Sequence, residues 1–276
     1  MGKIRNKLLT AFSLLSRIKV GIPFDPDFSF VGFLLPVVGL FILLVNLGLY
    51  YLGGEIIPDI LLLTILILAV QYFLFNIFHF DGLLDSSDAL FCFADKEKRL
   101  AILRDAGIGS FAFFCGAVYL VLKIYLMYRS ISILNFFIAR PSRLGFDILF
   151  FAYPVSGRIA AALIPCVLKP ARTSGLGFLL ADYKKTAALG GIALGILAVA
   201  MPAVLLGILF NTHALFFLIC FSGALAAFFF VSGLFKAKIG GFTGDTQGFA
   251  VELGELLHML IFYLLLIYGA GGKLGV

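Results

Sequence analysis

The chain has 276 residues, 62% of them hydrophobic and only 13% charged, with a mean hydropathy of +1.11 and a formal net charge of +6. Soluble domains carry roughly 25% charged and 45 to 50% apolar residues, so a water-soluble globule is excluded. Most of the basic excess is accounted for by membrane topology and anionic lipid, so it says little about nucleic acid, and a phosphate-bearing substrate could use the remainder.

The first segment predicts an amphipathic helix lying in the membrane interface. Ile4, Leu8, Phe12, Leu15 and Ile18 fall on one helical stripe, Lys3, Arg5, Arg17 and Lys19 can face anionic headgroups, and Lys7 sits at the stripe's edge. The alternative is a loose tail. Arg17 and Lys19 close the apolar stretch with no small-residue cleavage site after them, which argues against a secretory signal, and Asn6 stands where a myristoylation motif needs Ser or Thr. Beyond it, residues 28–54, 60–80 and 186–235 contain no Asp, Glu, Lys or Arg. A bilayer span takes about 20 apolar residues, so the first two are single spans and the third is two, joined at Asn211, Thr212 and His213. Further spans are expected at about 107–128, 144–167 and 255–270, giving roughly seven. Hydrocarbon offers backbone groups no partner and the runs lack the alternation of barrel strands. The expectation is therefore an all-α, polytopic transmembrane helix bundle in which residues 1–276 form one integral membrane domain.

Seven spans place the N-terminus and the polar segments 81–106, 168–185 and 236–254 on one side. That side holds fifteen Lys and Arg, against Arg129, Arg140, Arg143 and Lys273 on the other, with Lys123 and Arg158 inside spans. The positive-inside rule makes the richer side cytoplasmic. The arginines of 129–143 would argue for a re-entrant segment were the fourth span incomplete.

On the richer side, His79-Phe-Asp81-Gly82-Leu-Leu-Asp85-Ser-Ser-Asp88 spaces three aspartates at i, i+4 and i+7, within about 60° on one helical face. Like charges so placed repel, which a divalent cation such as Mg²⁺ offsets; the plainer reading is a solvated helix end. Arg104, Asp105 and Gly107-Ile-Gly109-Ser110 follow. Arg104 suits a phosphate and Asp105 is a further ligand candidate, in a stretch that otherwise reads as solvated loop. The segment Gly240-Gly-Phe-Thr243-Gly244-Asp245-Thr-Gln-Gly248 precedes Glu252 and Glu255 and matches no Walker or Rossmann pattern. Its glycines, Gly244 among them, can offer backbone N–H groups to a phosphate, and Asp245 can join a metal site; otherwise it is a capped turn. Arg158 follows Pro154-Val-Ser156-Gly157, a combination that can interrupt a helix. Arginine at membrane depth faces the bundle interior or a watery cavity, to pair with phosphate or the aspartates, unless it snorkels from a span end. Gly191 and Gly195 form a GxxxG packing pair, His213 and His258 read as structural, and Cys92, Cys115, Cys166 and Cys220 as free thiols.

Three ordered motifs now stand together: His79-x-Asp81-Gly82-Leu83-x-Asp85-x-x-Asp88, Arg104-Asp105-x-x-Ile108-Gly109-Ser110-Phe111, and Gly240-Gly-x-Thr243-Gly-Asp245-x-x-Gly248-x-x-x-Glu252-x-x-Glu255. Together they resemble the cobalamin 5'-phosphate synthase family, the adenosylcobinamide-GDP ribazoletransferases. The likeness runs from Phe12 to Glu255 and takes in Ser156-Gly-Arg158 and Pro170-Ala-Arg172-x-x-Gly175-Leu-Gly177. It departs at Ala89, where many members have Gly, and by one extra residue in Ser156-Gly-Arg158. The resemblance implies a Mg²⁺-dependent enzyme of the bacterial inner membrane, its site facing the cytoplasm, that joins alpha-ribazole 5'-phosphate to a GDP-activated corrinoid and releases GMP. On that reading Asp81, Asp85, Asp88, Asp105 and Asp245 carry Mg²⁺, and Arg104, Arg158, Arg172 and Gly244 hold phosphates. His79, or an aspartate such as Asp81 or Asp85, takes the proton of the attacking hydroxyl. A second copy of the chain and other cobalamin-assembly enzymes are candidate partners.

Two rival readings differ in class. A CDP-alcohol phosphotransferase would carry Asp-Gly-x-x-Ala-Arg, but Asp85 and Ser86 occupy the Ala-Arg positions. A transporter is suggested by Arg158 and the helix-breaking residues before it, and opposed by acids gathered at one face and by the lack of an internal repeat.

Overall fold

The computed structural model describes residues 2–15, 17, 21–105, 107–137, 143–180, 183–208 and 213–269. Seven helices among them are long and apolar enough to cross a membrane. Helix α1 (Gly2–Leu15) precedes them. Ile4 and Leu8 on it are 68% and 45% exposed, a face free to enter lipid, as an interfacial helix requires. The Phe12 and Leu15 side chains, with Ile18 and Lys19, lie outside the described residues. The Thr10 hydroxyl accepts the Asp27 N–H at 2.8 Å, tying α1 to the entrance of the first span.

That span is a short turn, Phe28–Phe30, capped by Asp27 and continued by α2 (Val31–Gly54). Next come α3 (Ile60–Gln71), a π turn (Tyr72–Asn76) and α4 (Ile77–Phe91), which run on as one 32-residue element. At 1.5 Å per residue it is about 48 Å long, against roughly 30 Å of hydrocarbon. Its last turns, with Asp81, Asp85 and Asp88, therefore project past the apolar layer while still helical. Helices α5 (Lys96–Ile102), α6 (Ser110–Phe137), α7 (Arg143–Phe150) and α8 (Tyr153–Val167) follow. The fourth span, Arg143–Val167, is full length, so the re-entrant alternative falls away. Its helix is interrupted by a turn at 151–152, and Pro154 stands in the first turn of α8, where its missing N–H costs no helical hydrogen bond. Helices α9 (Leu176–Leu179), α10 (Lys185–Ile208), α11 (His213–Ile239) and α12 (Gly244–Leu264) complete the chain, with a closing π turn at Leu265–Gly269. Asn211, Thr212, Arg140 and Lys273 lie outside the described residues, as does the side chain of His213.

Helix α12 is the hub, packed on α4, α8 and α11, while α8 also packs on α2. Backbone meets backbone where α8 and α12 cross: a Cβ on Gly157 would sit 2.3 Å from the Val251 carbonyl oxygen. Gly191 and Gly195 lie against Phe33 and Pro36, as their GxxxG spacing suggested.

Two expectations are corrected. The third span continues to Phe136 rather than ending near 128, and the last begins at Gly244, not near 255. Glu252 and Glu255 consequently lie inside the bundle, both with no exposed surface. Acidic groups are thus not confined to one face, and that ground for setting aside a transporter disappears.

Candidate functional site

Helix α11 ends where Gly240 turns the chain with φ of +75°, a conformation that disfavours any residue with a Cβ. Gly241 then passes so close to the 169–171 segment that a Cβ would lie 2.4 Å from the Lys169 carbonyl oxygen. Two backbone hydrogen bonds close the contact, Phe242 N–H to Lys169 O at 3.0 Å and Ala171 N–H to Phe242 O at 2.8 Å. This short parallel bridge seats Arg172 beside the start of α12. There Thr243 caps the helix, its hydroxyl accepting the Thr246 N–H at 3.3 Å, while Thr246 Oγ1 accepts the Thr243 N–H at 2.9 Å. Thr243 Oγ1 also donates to Asp245 Oδ2 at 3.1 Å, which orients that carboxylate over the first turn, where a negative charge is favoured.

Helices α4 and α12 touch through Gly82 and Gly248. A Cβ on Gly82 would be 2.7 Å from the Asp245 carbonyl oxygen, and one on Gly248 2.9 Å from that of His79. His79 and Asp81 of α4 and Gly244 and Asp245 of α12 thus line one cavity of about 400 Å³ together with Arg172. Asp81 is exposed at its rim. His79 is only 9% exposed, and its Nε2 has no hydrogen-bond partner. Partial burial pulls the Arg172 guanidinium below its ordinary range, Asp245 pushes it back up, and Arg104 adds a smaller downward push. Arg172 also donates to the Leu100 carbonyl oxygen at 2.5 Å.

The remaining sequence candidates sit around this centre in different states. Asp85 is half-buried and within electrostatic reach of Asp81, Asp245, Asp88 and Asp105. Asp88 is engaged: Oδ2 accepts the Gly109 N–H at 2.7 Å and Oδ1 the Ala112 N–H at 2.9 Å, capping α6 from a neighbouring helix. Asp105 is exposed and closes a turn onto the Gly107 N–H at 3.1 Å, and Arg104, also exposed, reaches Ser174 Oγ at 3.3 Å. Among the described residues, no three His, Cys, Asp or Glu side chains are already gathered as a metal cage.

Arg158 is the candidate the fold places elsewhere. It is fully buried, donating to Glu255 Oε1 at 2.8 Å and to Asn76 Oδ1 at 2.9 Å, because a guanidinium at that depth requires a carboxylate inside the bundle. It is joined there by residues that sequence reasoning left without a role. Lys123 Nζ lies 2.5 Å from Glu255 Oε2 and 3.3 Å from Glu252 Oε2, and donates to Tyr72 and Tyr119 at 3.0 and 2.9 Å. Asn76 donates to Glu252 Oε1 at 2.9 Å and to Glu255 Oε1 at 3.1 Å. Gln71 donates to Glu255 Oε2 at 3.0 Å and accepts from Asn46 at 2.7 Å and from Tyr153 at 2.5 Å. Two carboxylates and two cations make the set neutral. The signal for it was present in the sequence: Lys123 and Arg158 are cations inside spans, and each needs an anion at its own depth.

Comparison with known proteins gives this chain a family. A family model described as Cobalamin-5-phosphate synthase matches residues 7–263. A protein of Kosmotoga olearia named adenosylcobinamide-GDP ribazoletransferase is 30% identical over 263 residues, covering 92% of this chain and 97% of its own. Proteins of the same name from Thermosipho melanesiensis and Clostridium botulinum are 30% and 27% identical, covering 77% and 95% of this chain and 79% and 98% of theirs. No solved structure matches.

Proposed function

The chain belongs to the cobalamin-5-phosphate synthase family, and from that premise we propose that it joins alpha-ribazole 5'-phosphate to adenosylcobinamide-GDP. A ribose hydroxyl oxygen bonds to the corrinoid-side phosphorus, the pyrophosphate P–O bond breaks, and GMP leaves with the bonding electron pair. The observation that carries this reading is the meeting of His79, Asp81, Arg172 and Asp245 around one cavity, from parts of the chain far apart in sequence.

Positioning and charge neutralisation supply most of the catalysis in such a transfer. Asp81, Asp85 and Asp245 suit Mg²⁺, since their donors are hard carboxylate oxygens and this ion commonly takes one or two carboxylates and fills its remaining sites with water and phosphate. Bound there, Mg²⁺ would offset the charge of the diphosphate and of departing GMP. Arg172 would hold a phosphate at the cavity mouth, and the partnerless Nε2 of His79 is placed to accept the hydroxyl proton. Asp88, with both oxygens on backbone N–H groups, serves the site by fixing α6 against α4. A cytoplasmic inner-membrane setting is supported by the excess of Lys and Arg at this end of the bundle.

The test is release of GMP from adenosylcobinamide-GDP and alpha-ribazole 5'-phosphate by purified protein in detergent. Release should cease on chelation and return with added Mg²⁺. Undiminished release in excess chelator would remove the metal, and no release under any condition would remove the reaction.

A further inference from the structure

Resting on that reading, we propose that the cavity is the seat of the acceptor nucleotide alone, its aromatic base lodged in the apolar floor, while the GDP-activated corrinoid binds outside, over the exposed carboxylates. The cavity lining is graded by exposure. Asp81 and Ser174 are exposed, as are Phe78 and Phe178 at its edge, Arg172 and Asp245 are half-buried, and Val31, Leu35, Ala161, Leu180 and Val251, which we take as the floor, are all nearly without exposure. Such a gradient fits a molecule with a charged end and a flat apolar end. His79 stands among these groups with Nε2 unpartnered, a buried polar atom that a ligand hydroxyl would satisfy. Size decides between the substrates. Small-molecule pockets run from about 300 to 1,000 Å³, so a volume of about 400 Å³ admits one nucleoside monophosphate but not a corrin macrocycle carrying a dinucleotide. With the base on the floor, the sugar lies level with His79 and the phosphate reaches Arg172. The sugar hydroxyl is then presented toward Asp81 and Asp245, where the diphosphate arrives from outside.

The experiment measures equilibrium binding to purified protein in the absence of corrinoid, so that it stands apart from turnover. Alpha-ribazole 5'-phosphate should bind about 100-fold more tightly than ribose 5-phosphate, which lacks the base to bury. Leu35→Phe, which shortens the floor, should raise KM for the ribazole phosphate about tenfold without raising KM for the GDP-corrinoid. An acceptor with a smaller imidazole base should lose less. Equal binding of the two sugar phosphates overturns the assignment, and so does a rise in the corrinoid KM instead. Loss of co-purified phospholipid from Leu35→Phe with nucleotide binding unchanged also overturns it, giving the floor to an acyl chain. Should Leu35→Phe fail to fold, the comparison of sugar phosphates on the native protein decides alone. Base-dependent binding without any GMP release leaves the cavity assignment standing and sinks the proposed reaction; GMP release with no preference for the base does the reverse.

Discussion

Asp85 and Asp88 are three residues apart on one helix, yet their surroundings give them different work. Asp88 has both oxygens on backbone N–H groups of α6, and Gly109 permits it, since a Cβ there would stand 2.6 Å from each carboxylate oxygen. Asp85 is half-buried, and Asp81, Asp245, Asp88 and Asp105 all repel its charge. Asp85→Asn should abolish GMP release while leaving the melting temperature in detergent unchanged or slightly raised, because a repelling charge is removed. Normal release from that variant would take Asp85 out of the site. Asp88→Ala should cost about 0.5 to 2 kcal/mol of stability, the usual loss of a helix cap. Asp88→Asn, whose one amide oxygen still accepts one of the two N–H groups, should recover part of that stability and keep measurable activity. An Asp88→Asn protein that melts normally but is inactive would make Asp88 a metal ligand after all. The spacing at i, i+4 and i+7 was enough to place these acids on one face. It could not distinguish a ligand from a cap, since the N–H groups that Asp88 accepts belong to residues 21 and 24 positions away.

Among the elements, the contact between segments 169–172 and 240–243 has the largest consequence for the site, as it brings Arg172 to Asp245. Gly241→Ala would place a methyl group 2.4 Å from the Lys169 carbonyl oxygen, a distance at which backbone must move. The bridge should open and Arg172 draw away, raising KM for the phosphate-bearing acceptor about tenfold. Stability should fall only modestly, because α12 keeps its own Thr243 cap. The measurement is KM for each substrate separately, alongside thermal unfolding; unchanged values for both substrates would leave the bridge without a functional role. The glycine-rich stretch was legible as something special, but its meaning was only half visible. Gly240 and Gly241 serve a turn and a close approach, and Gly248 serves helix contact. The start of the last span was missed for a related reason. By charge alone the span was set to begin at about Glu255, leaving Glu252 before it, and only pairing with Lys123 and Arg158 from two other helices makes both tolerable inside.

Across the whole molecule, lipid tails are as apolar as the helix faces, so burial of leucine and phenylalanine does little to choose one bundle over another. Polar groups that must find partners inside make that choice. Here the partners come from α2 (Asn46), α3 (Gln71), the π turn (Tyr72 and Asn76), α6 (Tyr119 and Lys123), α8 (Tyr153 and Arg158) and α12 (Glu252 and Glu255), five helices and the bend between two of them. The number of spans was readable from hydropathy, because it depends on composition along the chain; which helices share a neutral centre depends on pairings up to 184 residues apart. Removing one cation from such a centre leaves an uncompensated buried charge, a loss typically of about 3 to 5 kcal/mol. Lys123→Met should therefore lower the melting temperature sharply and reduce the monodisperse yield on size exclusion. Adding Glu252→Gln to Lys123→Met restores neutrality, since Glu255 keeps Arg158 at 2.8 Å, the one amide oxygen can still accept from Asn76, and the amide N–H groups can donate to the Tyr72 and Tyr119 hydroxyls that Lys123 no longer occupies. The double variant should recover most of the lost stability, while Glu252→Gln alone, which strands a cation, should itself be destabilising. A Lys123→Met protein as heat-resistant as the parent would show that water reaches this centre and that its charges are not what selects the fold.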